Sequence, residues 1–231
     1  MDTTNVTARR AGVVYFAFMI VAIVGEFLFP SFVVSGDPAA TAARIADAEL
    51  TYRVGVLLGF LTHVIFLVLV VLLYRLFRDV DQAQALLMVV FVSVGVAVAF
   101  ANLLVRFAPL VLGGGAEYLS AFSKPQLDAL ALASLSFRGN GNAIPMLFWG
   151  LWLFPFGILV IKSGFLPRIL GVLLLVAGVG YLASGVTFVL LPEYRTAVFR
   201  WMTPLYLGEV PIIFWLLIKG AKEPLSQVRP T

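Results

Sequence analysis

The stretch VGVLLGFLTHVIFLVLVVLLY, residues Val54 to Tyr74, decides the fold, because it is apolar apart from Thr62 and His63. A helix rises about 1.5 Å per residue, so this run is long enough to cross roughly 30 Å of hydrocarbon. A strand of a membrane barrel would need only about ten residues of alternating polarity. The stretch therefore predicts a membrane-spanning helix.

Further apolar runs of similar length lie on both sides of this stretch. Together they predict six spans, at about residues 11–29, 54–74, 83–105, 143–161, 169–191 and 201–218. The composition agrees, since 61% of the 231 residues are hydrophobic and only 12% are charged, which is unusual for a soluble domain. We expect an all-α integral membrane protein, a six-transmembrane-helix bundle that forms a single domain over residues 1–231.

The distribution of Lys and Arg predicts the orientation. With both termini in the cytoplasm, the inner connections are short and hold more of the positive charge than the outer ones, as the positive-inside rule requires. The formal net charge of +4 therefore reflects topology and does not indicate binding of nucleic acid. We expect a multi-pass protein of the bacterial plasma (inner) membrane, with membrane lipids as its partners.

The two longer outer connections are predicted to form short amphipathic helices on the outer face. Asp37 followed by Pro38 is typical of a helix start, and Ser123 with Gln126 has the spacing of a capping box. The second of these helices is expected to break at Gly139-Asn140-Gly141-Asn142, immediately before the fourth span.

Absent residue types exclude most site chemistry. The chain has no cysteine and a single histidine, so the usual zinc sites are excluded and we expect no metal and no cofactor. Gly171, Gly178 and Gly185 recur every seven residues in the fifth span. We interpret them as a packing surface that lets a neighbouring helix approach closely.

Polar side chains inside the spans are few, and they fall in the predicted outer half. Glu209 lies about 12 Å below the outer end of the sixth span, where Pro204 and Pro211 each free a backbone carbonyl. A charge at this depth is costly unless it is neutralised, paired or hydrated. The candidates for ligand binding or proton relay are Glu26, His63, Asn102, Arg106 and Glu209, and those for the rim of a pocket are Arg53, Arg138, Asn140, Asn142 and Tyr206.

Two interpretations of this polar set remain open. In one, Glu26 or Glu209 forms a buried ion pair with Arg106 or Arg53, which fixes the register of the helices and adds little net stability. In the other, the set lines a pocket that opens to the outside and binds a small molecule or relays protons. The two prolines beside Glu209 slightly favour the pocket, because interrupted helices are one pointer to binding sites in transporters.

Four stretches carry a resemblance to a known family. They are TARRAGVVYFAFMIVAIVGEF from Thr7, GDPAATAARIADAELTYRVG from Gly36, KSGFLPRILGVLLLVAGVGYL from Lys162 and LGEVPIIFWLLIKG from Leu207. The chain resembles, from Thr7 to Gly220, the bacterial membrane family catalogued as domain of unknown function 4386. The resemblance implies a compact helical membrane protein and supplies no catalytic residues. Where that family often has His-Gly-Tyr-Gly-Tyr, this chain has Arg-Gly-Asn-Gly-Asn at 138–142.

The expected function is the binding of a small or lipid-like ligand in an outward-facing polar pocket. The alternatives are a structural or regulatory membrane subunit with buried ion pairs, and a proton-coupled carrier of small molecules. An enzyme is the least favoured class, because no catalytic motif is present, and we assign no catalytic residue.

Overall fold

The computed structural model of the chain describes residues 3–28 and 32–221, without the side chains of residues 3, 26–28 and 138–140. Six helical segments in these ranges are long and apolar enough to cross a membrane. This confirms the predicted all-α, six-span fold. The spans are Thr4–Gly25, Glu49–Phe77, Gln82–Gly113, Ala143–Ser163, Arg168–Leu190 and Pro192–Lys219.

Many of the described residues form α-helices, and short 3₁₀ and π turns lie between or after some of them. The α-helices are α1 (Thr3–Leu28), α2 (Pro38–Asp47), α3 (Glu49–Phe77), α4 (Gln82–Leu104), α5 (Ala108–Gly113), α6 (Lys124–Gly141), α7 (Ala143–Leu151), α8 (Leu153–Ser163), α9 (Arg168–Leu190), α10 (Arg195–Tyr206) and α11 (Val210–Phe214). The 3₁₀ turns are Val105–Phe107, Glu117–Leu119, Pro192–Tyr194 and Leu207–Glu209, and Trp215–Lys219 is a π turn.

Several helices extend beyond the apolar runs that predicted them. The first span begins at Thr4, the third continues to Gly113 and the sixth begins at Pro192, whereas the runs began or ended about seven to nine residues further in. Polar residues can continue a helix once it has left the hydrocarbon, since water or headgroups then solvate their side chains. A run of hydrophobic residues marks only the part of a helix that is in contact with lipid tails.

The chain divides by its contacts into two compact units. Unit 1 comprises Met1–Phe18, Ile65–Val96 and Ala143–Thr231, and unit 2 comprises Met19–Val64 and Ala97–Asn142.

An aromatic core holds unit 1 together. The ring of Trp152 stacks on Phe156 with centroids 5.2 Å apart, and Phe66 meets the same indole edge-on at 5.1 Å. Phe77 stacks on Phe165 at 5.6 Å. These rings come from α3, from α8 and the residue that precedes it, and from the connection to α9, so their packing holds these parts of unit 1 together.

Close helix packing in unit 1 depends on the glycines of α9. A Cβ on Gly171 would lie 2.6 Å from the carbonyl oxygen of Gly157, and one on Gly185 would lie 2.7 Å from a methyl of Leu147. Gly178 faces the carbonyl oxygen of Gly150 in the same way. The interpretation of these glycines as a packing surface is confirmed, because any side chain there would push α9 away from α7 and α8.

Both predicted helix starts in unit 2 are present. The side chain of Asp37 accepts a hydrogen bond of 2.9 Å from the backbone N–H of Ala40 at the start of α2. The side chain of Gln126 accepts one of 2.8 Å from the backbone N–H of Ser123 before α6. These bonds satisfy donors that a helix start would otherwise leave unpaired.

The predicted break before the fourth span is present, at the end of the stretch Gly139-Asn140-Gly141-Asn142. Helix α6 ends at Gly141, and the turn at Asn142 is the single residue between it and α7. The amide nitrogen of Asn102 donates a hydrogen bond of 2.7 Å to the side-chain oxygen of Asn142. A Cβ on Gly141 would lie 2.8 Å from the side-chain oxygen of Asn102. Gly141 therefore allows close contact with α4 at the point where α6 ends.

Candidate functional site

Glu209 lies in the 3₁₀ turn that separates α10 from α11. Pro211 is the second residue of α11, and Pro204 lies inside α10, so this span is interrupted at the carboxyl group of Glu209. Gly208 brings the turn against α9, since a Cβ there would lie 2.6 Å from the carbonyl oxygen of Leu173. The local sequence therefore places the turn that carries the carboxyl group of Glu209 in close contact with α9 in unit 1.

Two tyrosine hydroxyls from other helices meet this carboxyl group. Tyr15 of α1 is fully buried, and its hydroxyl donates a hydrogen bond of 2.7 Å to Oε2 of Glu209. Tyr181 of α9 also forms a side-chain hydrogen bond with Glu209. A carboxyl group in hydrocarbon requires such donors whether it is ionised or neutral.

A second hydroxyl pair lies next to the first. The ring of Tyr206 stacks on that of Tyr181, with centroids 4.4 Å apart, and its hydroxyl shares a hydrogen bond of 2.5 Å with Ser184. The predicted rim residue Tyr206 therefore lies beside Glu209. We call Tyr15, Tyr181, Ser184, Tyr206 and Glu209 the Glu209 cluster.

Sequence reasoning missed three members of this cluster, Tyr15, Tyr181 and Ser184. A weak signal was available, because each is a hydroxyl-bearing residue within an apolar span, where few polar side chains occur. The sequence separation between each of these residues and Glu209 did not predict that their side chains would lie close together.

The other described candidates belong to unit 2. Arg106 is only 6% exposed and lies in the 3₁₀ turn after α4, with a guanidinium nitrogen beside Gly59. Its backbone carbonyl accepts a hydrogen bond of 2.8 Å from the hydroxyl of buried Tyr52. Nδ1 of His63 donates to the carbonyl oxygen of Gly59 at 2.6 Å. Arg106 thus approaches α3 at Gly59, whose carbonyl oxygen already accepts a hydrogen bond from His63 of the same helix.

Three predicted residues fall outside the described side chains: Glu26, Arg138 and Asn140. Arg53, a possible ion partner of Glu26 or Glu209 in the prediction, pairs instead with Glu49 one helical turn earlier at 2.7 Å. The polar set is thus distributed over both units, with Glu209 and Tyr206 in unit 1 and the other described candidates in unit 2.

Unit 2 contains an apolar cleft of about 530 Å³. Phe60, Phe100 and Phe107 line it, with Arg53 as its charged residue. Phe60 and Phe100 stack with their ring centroids 5.4 Å apart.

A smaller cavity of about 210 Å³ lies between α2, the start of α3, α5 and α6. Its charged lining consists of Glu49, Arg53, Lys124 and Asp128. A water molecule needs about 10–15 Å³ of cavity volume, so this cavity can hold several water molecules. Arg53 lines this polar cavity as well as the apolar cleft.

Comparison with known proteins identifies a family and a relative. A family model described as "Domain of unknown function (DUF4386)" matches residues 10–220. An "Uncharacterized protein" of Archaeoglobus fulgidus is 39% identical over 87 residues, which are 37% of this chain and 48% of that protein. The chain thus spans about half the length of the curated relative it matches. No solved structure matches the chain.

Proposed function

The chain belongs to the DUF4386 family, and we propose that this multi-pass membrane protein binds an amphipathic, lipid-like molecule in unit 2. The hydrocarbon chain of the ligand occupies the apolar cleft, and its headgroup enters the polar cavity. The position of Arg53 carries the proposal, because this residue lines both spaces.

The two spaces contribute differently to binding. A hydrocarbon chain that moves from the bilayer into the cleft exchanges one apolar medium for another, so its transfer adds little affinity. The cleft therefore positions the ligand. Selectivity comes from the headgroup, for which Arg53 supplies charge-assisted hydrogen bonds to an anionic oxygen.

Binding of matched ligands to the purified full chain tests this function. A fatty acid and a monoacylglycerol with the same acyl chain share the hydrocarbon part, but the headgroup of the first is anionic at neutral pH and that of the second is a neutral glycerol ester. The wild type should prefer the fatty acid, and Arg53→Gln should weaken fatty-acid binding about tenfold, as expected for a partly exposed charged hydrogen bond. Binding of the monoacylglycerol should change little.

Arg200→Gln is the matched control. It removes the same charge as Arg53→Gln, and Arg200 is an exposed residue of α10 that lines neither space. If both variants weaken fatty-acid binding equally, the effect is one of net charge and the assignment to Arg53 fails. Equal binding of both ligands to the wild type would identify the cleft as ordinary lipid-contact surface.

The Glu209 cluster favours a second candidate function, a proton-coupled carrier. A carboxyl group inside a span that receives hydroxyl donors from two other helices has the composition of a proton-relay site. Proteoliposomes with an internal pH-sensitive dye and a panel of small molecules supplied outside should then show substrate-dependent proton entry down a pH gradient, and Glu209→Gln should abolish it. Glu193→Gln, at an exposed acid outside the cluster, should leave it intact. No substrate-dependent proton entry across the panel would count against this function.

A further inference from the structure

An asymmetric ion pair lies in the wall of the polar cavity. Nζ of Lys124 bonds both carboxylate oxygens of Asp128, at 2.9 and 3.0 Å. The side chain of Lys124 is 80% exposed, whereas that of Asp128 is 11% exposed. The carboxylate is thus fixed within unit 2, while its cation reaches it from the surface.

Asp128 also separates two spaces. Together with Lys124 and Leu127 it lines the polar cavity of about 210 Å³ and a neighbouring cavity of about 400 Å³ that runs along the segment from Leu112 to Phe122. The carboxylate is therefore within reach of a small molecule in the polar cavity.

A buried carboxylate requires a cation or several donors, but it does not require this particular lysine. Lysine is a flexible point charge that loses considerable side-chain entropy when it is held in one position, and an exposed ion pair compensates this loss only weakly. An ammonium group that is already held nearby by its ligand can replace Lys124, which then returns to water.

We propose that Asp128 is the binding site for a ligand ammonium group, and that the headgroup is therefore zwitterionic. This inference rests on the proposed binding of an amphipathic molecule in unit 2. The anionic part of the headgroup pairs with Arg53, and the ammonium group pairs with Asp128 after displacing Lys124. Arg53 and Asp128 line the same cavity with opposite charges, as recognition of a zwitterion requires.

Glu49 is the competing acid, since it lines the same cavity. It is half exposed, and one of its oxygens already accepts a hydrogen bond of 2.7 Å from Arg53. Water screens a charge in that position more than it screens Asp128. The ammonium group is accordingly assigned to Asp128.

Two lysophospholipids test the assignment. Lysophosphatidylethanolamine and lysophosphatidylglycerol of the same acyl chain share the phosphate and differ in the terminal ammonium. Competition binding to the purified full chain should show about a tenfold preference for the ethanolamine lipid, the size typical of one charged hydrogen bond. Asp128→Asn should remove the preference while both lipids still bind, and Glu49→Gln should retain it.

Lys124→Ala provides a second measurement that does not depend on the folding of the Asp128 variant. Without the ammonium group of Lys124, which competes for Asp128, the protein should bind lysophosphatidylethanolamine several-fold more tightly, and its affinity for lysophosphatidylglycerol should change by no more than about twofold. Equal binding of the two lipids to the wild type, or a preference that survives in Asp128→Asn, overturns the ammonium site alone. Failure of both lipids and of a fatty acid to bind overturns the proposed function itself.

Discussion

Tyr15 and Glu209, 194 residues apart in the chain, are joined by a hydrogen bond of 2.7 Å from the tyrosine hydroxyl to Oε2 of the carboxyl group. The bond links the first span to the last within unit 1. It gives a physical reason why the sixth span tolerates an acid, because the carboxyl group receives a buried donor from α1 and a second one from α9.

The cluster predicts different effects for two substitutions of Glu209. The amide oxygen of Gln can still accept from Tyr15, so Glu209→Gln should change the free energy of unfolding by less than about 0.5 kcal/mol. Glu209→Leu leaves two hydroxyl donors without their acceptor and should cost about 1–3 kcal/mol. Thermal unfolding in a neutral detergent measures both. Equal and large losses would show that the ionised carboxylate, and not an acceptor, is required.

A double-mutant cycle measures the Tyr15–Glu209 bond itself. Tyr15→Phe combined with Glu209→Leu should show a coupling energy of about 0.6–1.7 kcal/mol, the range found for hydrogen bonds between membrane helices. Tyr194→Phe is the control, because this exposed tyrosine lies outside the cluster and should show no coupling with Glu209→Leu. Equal coupling for both tyrosines would contradict a direct bond.

The glycine surface of α9 predicts a loss of stability on adding a single methyl group. Gly171→Ala should cost about 1–3 kcal/mol, because its Cβ would meet the carbonyl oxygen of Gly157 and the backbone and side chain of Ile161. Gly113→Ala in α5 is the control, since a Cβ there has no neighbour within 4 Å. Denaturation in mixed micelles compares the two. A neutral Gly171→Ala would mean that α8 and α9 separate easily.

The ion pair between Asp81 and Lys162 in unit 1 predicts a pH dependence of stability. The hydrogen bond of 2.7 Å from Nζ of Lys162 lowers the pKa of Asp81 below its ordinary value of 3.8. A lowered pKa in the folded state means that the pair stabilises fully above the unfolded pKa. This contribution is lost as the pH falls from about 3.8 through the lower, folded pKa.

Lys162→Met removes the cause of this dependence. The melting temperature of the variant should therefore fall less than that of the wild type between pH 5 and pH 2, and added salt should reduce the difference, because the pair is partly exposed. Arg75→Met removes an exposed charge of the same sign outside the pair and should behave like the wild type. An unchanged acid dependence in Lys162→Met would contradict the prediction.

The apolar cleft predicts that a large residue at Ala101 blocks binding. Ala101→Trp places an indole among the cleft residues, so ligands of every headgroup should lose affinity about tenfold or more, since the space for the acyl chain is filled. Ala83→Trp, an exposed position at the start of α4 outside the cleft, is the matched control. Retained binding in Ala101→Trp would place the hydrocarbon chain elsewhere.

The spans were predictable because hydrocarbon thickness sets a minimum length for an apolar run, and the helix starts at Asp37 and Ser123 were predictable because capping is local. The neighbours of Glu209 were not, since hydropathy does not specify which helices touch or how they are rotated. The pair of Glu49 and Arg53 was available from the four-residue spacing. The sequence analysis instead predicted an ion pair of Arg53 with Glu26 or Glu209, although a partner on the same helix needs no tertiary contact.

Arg53 belongs to the walls of two spaces at once, so a change in its position when one space is occupied would couple the occupancies of the two. If a headgroup in the polar cavity changes the affinity of the cleft for a hydrocarbon chain by some factor, a hydrocarbon chain must change the affinity of the cavity for that headgroup by the same factor. With such coupling, the affinity of an apolar fragment for the cleft would change when a polar fragment occupies the cavity, and the affinity of the polar fragment would change by the same factor. The sign of this reciprocity would show whether the guanidinium adopts one position for both or must choose between them.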